Sequence, residues 1–278
     1  MHRALCIAAV VAIAAFAAAP ARAQPLPEDL DTPFVITPTN VVSAMLELAK
    51  VGDGDRLIDL GSGDGRIVLA AAQRGAVGIG IEIDASLVQR SRESARRLKL
   101  EDRATFVTQD LFDTDFSNAD VVTLYLLPDV NKRLAPKLLS TLKPGARIVS
   151  HDYDLGGWPH DAMIVVDAPD KPVNVEKKSR IYYWLVPARV EGRWEGRAGG
   201  KEVTLDFAQR YQRVSGTVRW AGRDYRFVDR PIEGEQLALR LAAPGRPQLI
   251  LELQASGATL VGQLREGDRA PVALRAQR

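Results

Sequence analysis

The run Arg56-Leu57-Ile58-Asp59-Leu60-Gly61-Ser62-Gly63-Asp64-Gly65-Arg66 sets the reading of the whole chain. Arg56 to Leu60 is mostly apolar and reads as a buried strand, and Ile67 to Ala72 as the start of an apolar helix. Three glycines stand between them at alternate positions. Strand, glycine turn and helix open a nucleotide-binding βαβ unit. Gly61 can take the positive φ of a sharp turn, Gly63 admits a close ligand, and Gly65 lets the helix pack on the strand. The free N–H groups of the helix start favour a carboxylate or phosphate.

Working outward, Ala76 to Ile81 is a second strand ending in Glu82, which is placed to accept two ribose hydroxyls. The spacing is G-x-G-x-G and not the G-x-G-x-x-G of dinucleotide enzymes, which disfavours a nicotinamide oxidoreductase. Before the loop, Val41 to Leu48 has apolar residues at 41, 42, 45, 46 and 48, a helical face with Thr39 or Asn40 as its cap. After Glu82, Ala85 to Leu98 reads as a helix with a solvated arginine face, and Ala104 to Thr108 as a third strand leading to Asp110. Asp120 to Leu127 is an almost wholly apolar fourth strand, followed by a helix with a kink or restart at Pro136. Ala146 to Ser150 is a fifth strand, and residues 162–168 and 180–187 close the sheet. Five β/α steps with the ligand loop after the first give a doubly wound Rossmann-like α/β domain, whose ligands sit at the carboxyl ends of the strands. From about Val190 the period becomes two, as in Val203/Leu205/Phe207 and Leu249/Leu251/Leu253, which predicts a small antiparallel all-β domain, barrel or sandwich.

Asp59-Leu60-Gly61-Ser62-Gly63-Asp64-Gly65-Arg66 resembles motif I of the class I S-adenosylmethionine (SAM) methyltransferases. With Thr37-Pro38-Thr39, the continuation Ile67 to Ala72, and Leu124-Tyr125-Leu126-Leu127-Pro128-Asp129-Val130-Asn131-Lys132-Arg133-Leu134, the chain is similar to one small group. These are bacterial relatives of the mitochondrial lysine methyltransferases that act on the ATP synthase c-subunit and the ADP/ATP carrier. The resemblance covers roughly residues 34–152. It implies SAM as cofactor, a pocket covered by the helix before the loop, and N-methylation of a protein lysine, including one on a membrane protein. The implied SAM contacts are Thr37, Asp59, Gly61, Ser62, Gly63, Gly65, Glu82, Asp110 and Leu111, with Asp110 accepting from the adenine amino group. A lysine ammonium, with a free pKa of about 10.4, must lose its proton before it can attack, which calls for a desolvated, aromatic-lined slot. Tyr125 and Asp152 are the implied catalytic residues there, with His151 and Tyr153 beside them.

Two features depart from that group. Residues 1–23 read as a secretory signal: Arg3, an apolar run from Ala4 to Ala19, then Ala21-Arg22-Ala23. The expectation is an exported, periplasmic protein beginning at Gln24, with a membrane anchor through residues 4–19 as the alternative. The second departure is the β-domain, so the expected organisation is 1–23, 24–188 and 189–278. Removing Arg3 and Arg22 from 37 basic residues leaves 35 against 35 acidic, which argues against nucleic acid as the main partner. Cys6 lies in the leader, so no mature thiol can form a cysteine adduct with a pyrimidine. The Asn-Pro-Pro-aromatic motif of amide and base N-methylases is replaced by Tyr125-Leu126-Leu127-Pro128. His151 and His160, next to Asp152 and Asp161, read as polar loop residues, and no metal site is expected. The competing function is an exported SAM-fold binding module without catalysis, its β-domain carrying partner binding.

Overall fold

The computed structural model describes residues 34–173, 175–242 and 244–278, and the expected leader lies outside them. The elements run α1 (Thr39–Leu48), β1 (Arg56–Leu60), α2 (Arg66–Gln73), β2 (Val77–Glu82), α3 (Ala85–Leu98), β3 (Ala104–Thr108), β4 (Val121–Leu124), α4 (Pro128–Thr141), β5 (Arg147–His151), β6 (Ala162–Asp167) and β7 (Lys178–Leu185). The seven strands form one sheet in the order β3-β2-β1-β4-β5-β7-β6. The first five pair in parallel, and β7 enters antiparallel between β5 and β6. Strand order reverses between β1 and β4, so the ligand crevice lies between the glycine loop and the end of β4. One face buries Met45, Leu46, Ile67, Val68, Val88 and Ala95 of α1, α2 and α3, and the other buries Val130, Leu134 and Leu138 of α4.

Four local expectations change. Neither Thr39 nor Asn40 caps α1: its N-cap is Pro38 without a side-chain bond, and Asn40 Nδ2 donates instead to Asp167 O at 2.6 Å. β4 stops at Leu124, because Leu127 is extended and places Pro128 at the first turn of α4, where its missing N–H costs nothing. Pro136 lies inside α4 without dividing it. No α-helix joins β3 to β4; a 3-10 turn at Leu111–Asp113, capped by Asp110, takes its place.

The second sheet holds β8 (Gly192–Ala198), β9 (Lys201–Arg210), β10 (Arg213–Trp220), β11 (Arg223–Pro231), β12 (Gln236–Leu241), β13 (Leu249–Ser256), β14 (Thr259–Glu266) and β15 (Val272–Gln277). Its order, β11-β10-β9-β8-β15-β14-β13-β12, is an up-and-down meander whose first and last strands pair. The alternating residues meet in one core around Trp194, Leu205, Trp220, Tyr225, Leu239 and Leu251, so the expected antiparallel domain takes a barrel-like form. A Cβ at Gly216 or Gly262 would strike the neighbouring strand's backbone, so glycine there lets the strands bend.

Gln212 joins the two sheets. Only 5% exposed, it accepts from Trp158 Nε1 (3.1 Å) and donates to Pro159 O (2.7 Å) and Asp161 Oδ1 (3.1 Å). Gln212→Ala strands one buried donor and two acceptors, and the expected loss is about 1–3 kcal/mol. Urea denaturation of wild type and variant measures it; equal midpoints would show that the junction holds without this side chain.

Candidate functional site

The glycine loop is pinned from below. Gly61 and Ser62 both donate their N–H groups to Ile81 O of β2, at 2.8 and 2.9 Å. Gly63 N donates to Glu82 Oε2 at 2.8 Å, while Glu82 Oε1 accepts from Ile83 N (2.8 Å) and Asp84 N (3.1 Å). One carboxylate thus binds the loop to the end of β2 and, with three of its roughly four lone-pair sites used, keeps one on Oε2 for a ligand. Gly61 has φ +76°, and a Cβ there would lie 2.6 Å from Leu126 Cδ2. A Cβ on Gly63 would enter the ring of Phe34, which lies over the loop. Gly65, also left-handed, is the N-cap of α2.

Asp59, at the end of β1, is 2% exposed, and Thr123 Oγ1 of β4 donates to its Oδ1 at 2.7 Å. Burial pushes its carboxyl up to about 7; the Thr123 bond opposes this, and the Glu82 and Asp64 charges add to it. Among the described residues no cation offsets this carboxylate, so a cationic ligand group placed beside it would favour the ionised form. Ser62 is 5% exposed, and its Oγ, turned onto Gly80 of β2, has no hydrogen-bond partner among the described residues. Asp110 Oδ1 accepts from Phe112 N at 2.8 Å, and Leu111 packs half-buried against the α4 face.

The chain before α1 closes over this loop. Arg66 pairs with Asp64 and donates from Nη1 to Thr37 O at 2.8 Å. Thr37, 4% exposed, turns Oγ1 to His151 Nδ1 at 3.3 Å. His151 Nε2 lies 2.8 Å from Ser179 Oγ of β7. The His151 ring lies against Tyr125, tilted by 32° with 3.9 Å between centroids. Burial lowers the His151 pKa to about 4, so the ring is neutral at pH 7. Burial and the Asp152 charge hold the Tyr125 phenol well above its ordinary range.

Asp152 has φ +63° and faces Lys171: Nζ lies 2.5 Å from Oδ2, while Arg180 N donates to Oδ1 at 3.1 Å. Tyr125, His151 and Asp152 therefore meet beside the glycine loop, and Tyr153, 38% exposed with its carbonyl held by Ser150 and Asn131, borders them with its phenol near Tyr125. His160 packs elsewhere, edge-on to Tyr182 and Trp184. Among the described residues no group of three or more His, Cys, Asp or Glu could hold a metal ion, and no helix is long and apolar enough to cross a membrane. Phe34, Arg66, Thr123, Leu126, Lys171 and Ser179 complete the site without having stood out in the sequence; of these only Arg66 and Leu126 lie inside a recognisable motif.

Residues 59–162 match the ANTKMT methyltransferase domain family. The chain is 42% identical over 137 residues to a protein-lysine N-methyltransferase of Saccharolobus islandicus, covering 49% of this chain and 85% of that protein. It is 32% identical over 149 residues to the human lysine N-methyltransferase of the ATP synthase c-subunit, covering 54% of this chain and 64% of the relative. Among solved structures, a Salinibacter ruber RNA methyltransferase in complex with S-adenosyl-L-homocysteine is 46% identical, with a TM-score of 0.50 over 56% of this chain and 96% of that one.

A pH dependence follows from Asp59. Its folded pKa, about 7, lies above the ordinary carboxyl value of 3.8, so the folded state keeps the proton longer. Its contribution to stability is therefore greatest below pH 4, falls as pH rises towards 7, and stays low above that. Asp59→Asn removes the charge without changing shape, so the expected outcome is a higher Tm for the ligand-free chain at pH 8, a smaller gain at pH 5 and little change at pH 4. Equal Tm values at pH 8 would show that Asp59 is not a buried charge.

Proposed function

The chain belongs to the SAM-dependent methyltransferase family represented by the ANTKMT domain, and from that premise we propose that it methylates the ε-amine of a protein lysine. The observation that carries this reading is the Gly61–Gly65 loop bound through Gly63 N to Glu82, beside buried Asp59, in a chain 42% identical to a protein-lysine N-methyltransferase. When bound, SAM supplies a methyl group on a sulfonium, open to in-line attack by a nucleophile.

In this reading Glu82 receives the ribose hydroxyls, Asp59 faces the cationic part of the cofactor, and backbone at Gly61, Ser62 and Gly63 lines its path. Asp110 and Leu111 stand at the adenine end, Thr37 closes the segment that covers the loop, and Gly65 starts α2. Tyr125 is the residue for the acceptor. Its phenol keeps its proton, so it is no general base; its oxygen accepts a hydrogen bond from the amine and aims the lone pair. Neutral His151 supports the Tyr125 ring and brings no charge. Asp152 acts through Tyr125, with its Oδ2 against the Lys171 ammonium.

A second acceptor class, RNA, is favoured by the name of the Salinibacter relative. The even balance of basic and acidic residues after residue 23 weighs against it. Export to the periplasm, from the signal-like residues 1–23, is part of the proposal, with the acceptor in the cell envelope.

Tritiated SAM, the chain from Gln24, and separate protein, membrane and RNA fractions form the test. Acid hydrolysis of labelled protein is expected to release Nε-methyllysine; label in RNA alone would overturn the lysine reading. Glu82→Gln keeps one carbonyl acceptor but loses the charge and puts a donor where the Gly63 N–H points. SAM affinity by calorimetry is expected to fall at least tenfold, matching a lost charged hydrogen bond of about 1.5–3 kcal/mol. Unchanged affinity would remove Glu82 from the cofactor site.

A further inference from the structure

Lys171 is a lysine that an exposed loop has no reason to bury. It lies between β6 and β7, yet it is 1% exposed. Its ammonium rests on Asp152 Oδ2 at 2.5 Å and donates to Lys178 O at 2.8 Å. Taking a lysine out of water is costly unless it is paired, and removing one partner from such a pair costs more. The pair stands at the wall of the Tyr125 and His151 cluster.

Several groups face that wall. Asp152 and Lys171 are the buried pair. Tyr125 and Tyr153 bring phenols, His151 a neutral ring, and Thr37 and Ser179 hydroxyls. Lys177, whose amine donates to Lys171 O, is exposed, as are Asp170, Glu176, Lys178 and Arg180. Without Lys171 an amine entering beside Tyr125 would meet an uncompensated carboxylate. A carboxylate favours the ammonium form, which has no lone pair to attack with. A second cation near an amine has the opposite effect and lowers its pKa.

We propose that Lys171 is a positioning residue for methyl transfer: by neutralising Asp152 beneath the acceptor slot, it lets an incoming amine shed its proton to solvent and arrive as the free base. The proton leaves to water, so no base within the site is needed, and Asp152 remains a fixed partner for Tyr125. This inference rests on the amine-acceptor reading above.

The test follows kcat against pH at saturating SAM and poly-L-lysine, counting methyllysine, because kcat reports groups that titrate in the bound complex. Lys171→Met is expected to move the midpoint of the profile alkaline by about one pH unit, a loss of about tenfold at neutral pH that is recovered at high pH. Lys171→Arg keeps the wild-type midpoint. Asp152→Asn moves it acid, and the double variant Asp152→Asn/Lys171→Met, with both charges gone, returns it towards wild type. SAM affinity by calorimetry stays within about twofold in all four, on the scale of a small local effect. A uniform loss at every pH, an unmoved midpoint, or a collapse of SAM affinity in Lys171→Met overturns the inference. If Lys171→Met does not fold, the acid shift of Asp152→Asn and the profile of the double variant decide. Absence of methyllysine with wild type sinks the acceptor reading and this inference with it; methyllysine with superimposable profiles sinks this inference alone.

Discussion

The hydrogen bond from Gly63 N to Glu82 Oε2 is the constraint on which the rest of the site depends. It ties the turn after β1 to the end of β2, where Leu60 and Ile81 are already in register. Fixing the turn fixes what leans on it. Leu126 covers Gly61, Phe34 covers Gly63, and Arg66 reaches back to Thr37 O. Thr37 then touches His151, and His151 lies against Tyr125. One carboxylate therefore has two duties, shaping the loop and receiving a ligand, and a substitution there disturbs both.

The placement of Asp59, the three glycines and Glu82 at one end of the sheet was legible in sequence because it is local: strand, turn and strand lie within 27 residues. The alternation after Val190 was legible for a similar reason, since a hairpin pairs neighbours and period two shows on each strand alone. The misreadings share a different cause. Asn40 looks like a helix cap but spends its amide on Asp167, 127 residues away. Pro136 looks like a break, yet α4 passes through it because Val130, Leu134 and Leu138 bury a continuous stripe. Lys171 and Ser179 carry no local signal at all; only the antiparallel insertion of β7 beside β5 brings them to His151 and Asp152.

The barrel-like domain sits at the other end of the sheet from this chemistry. Leu185 pairs with Arg147 at the start of β5, Gly145 N bonds to Val186 O, and Ala188 N bonds to Gly234 O inside the second domain. Cofactor loop, Tyr125 and Asp152 all lie at the opposite, carboxyl ends of the strands. The described bonds between the barrel and the first sheet lie at Trp158–Asp161 and near Ala188, away from Tyr125 and Asp152.

β7 runs from the site to the junction between the two sheets. Its first residues hold the site, with Lys178 O on the Lys171 ammonium and Ser179 on His151. Its last residues run into the junction, where Leu185 N bonds to Asp161 Oδ2 and Asp161 is in turn held by Gln212 of the second domain. An eight-residue strand rises about 3.3 Å per residue and cannot slip by one position without turning every side chain to the other face. With Trp184 and Ile181 fully buried on opposite faces of the sheet, that slip is closed off. The height at which Ser179 meets His151 is therefore held by side chains buried within the first sheet, while the other end of the same strand meets Asp161 and, through it, Gln212.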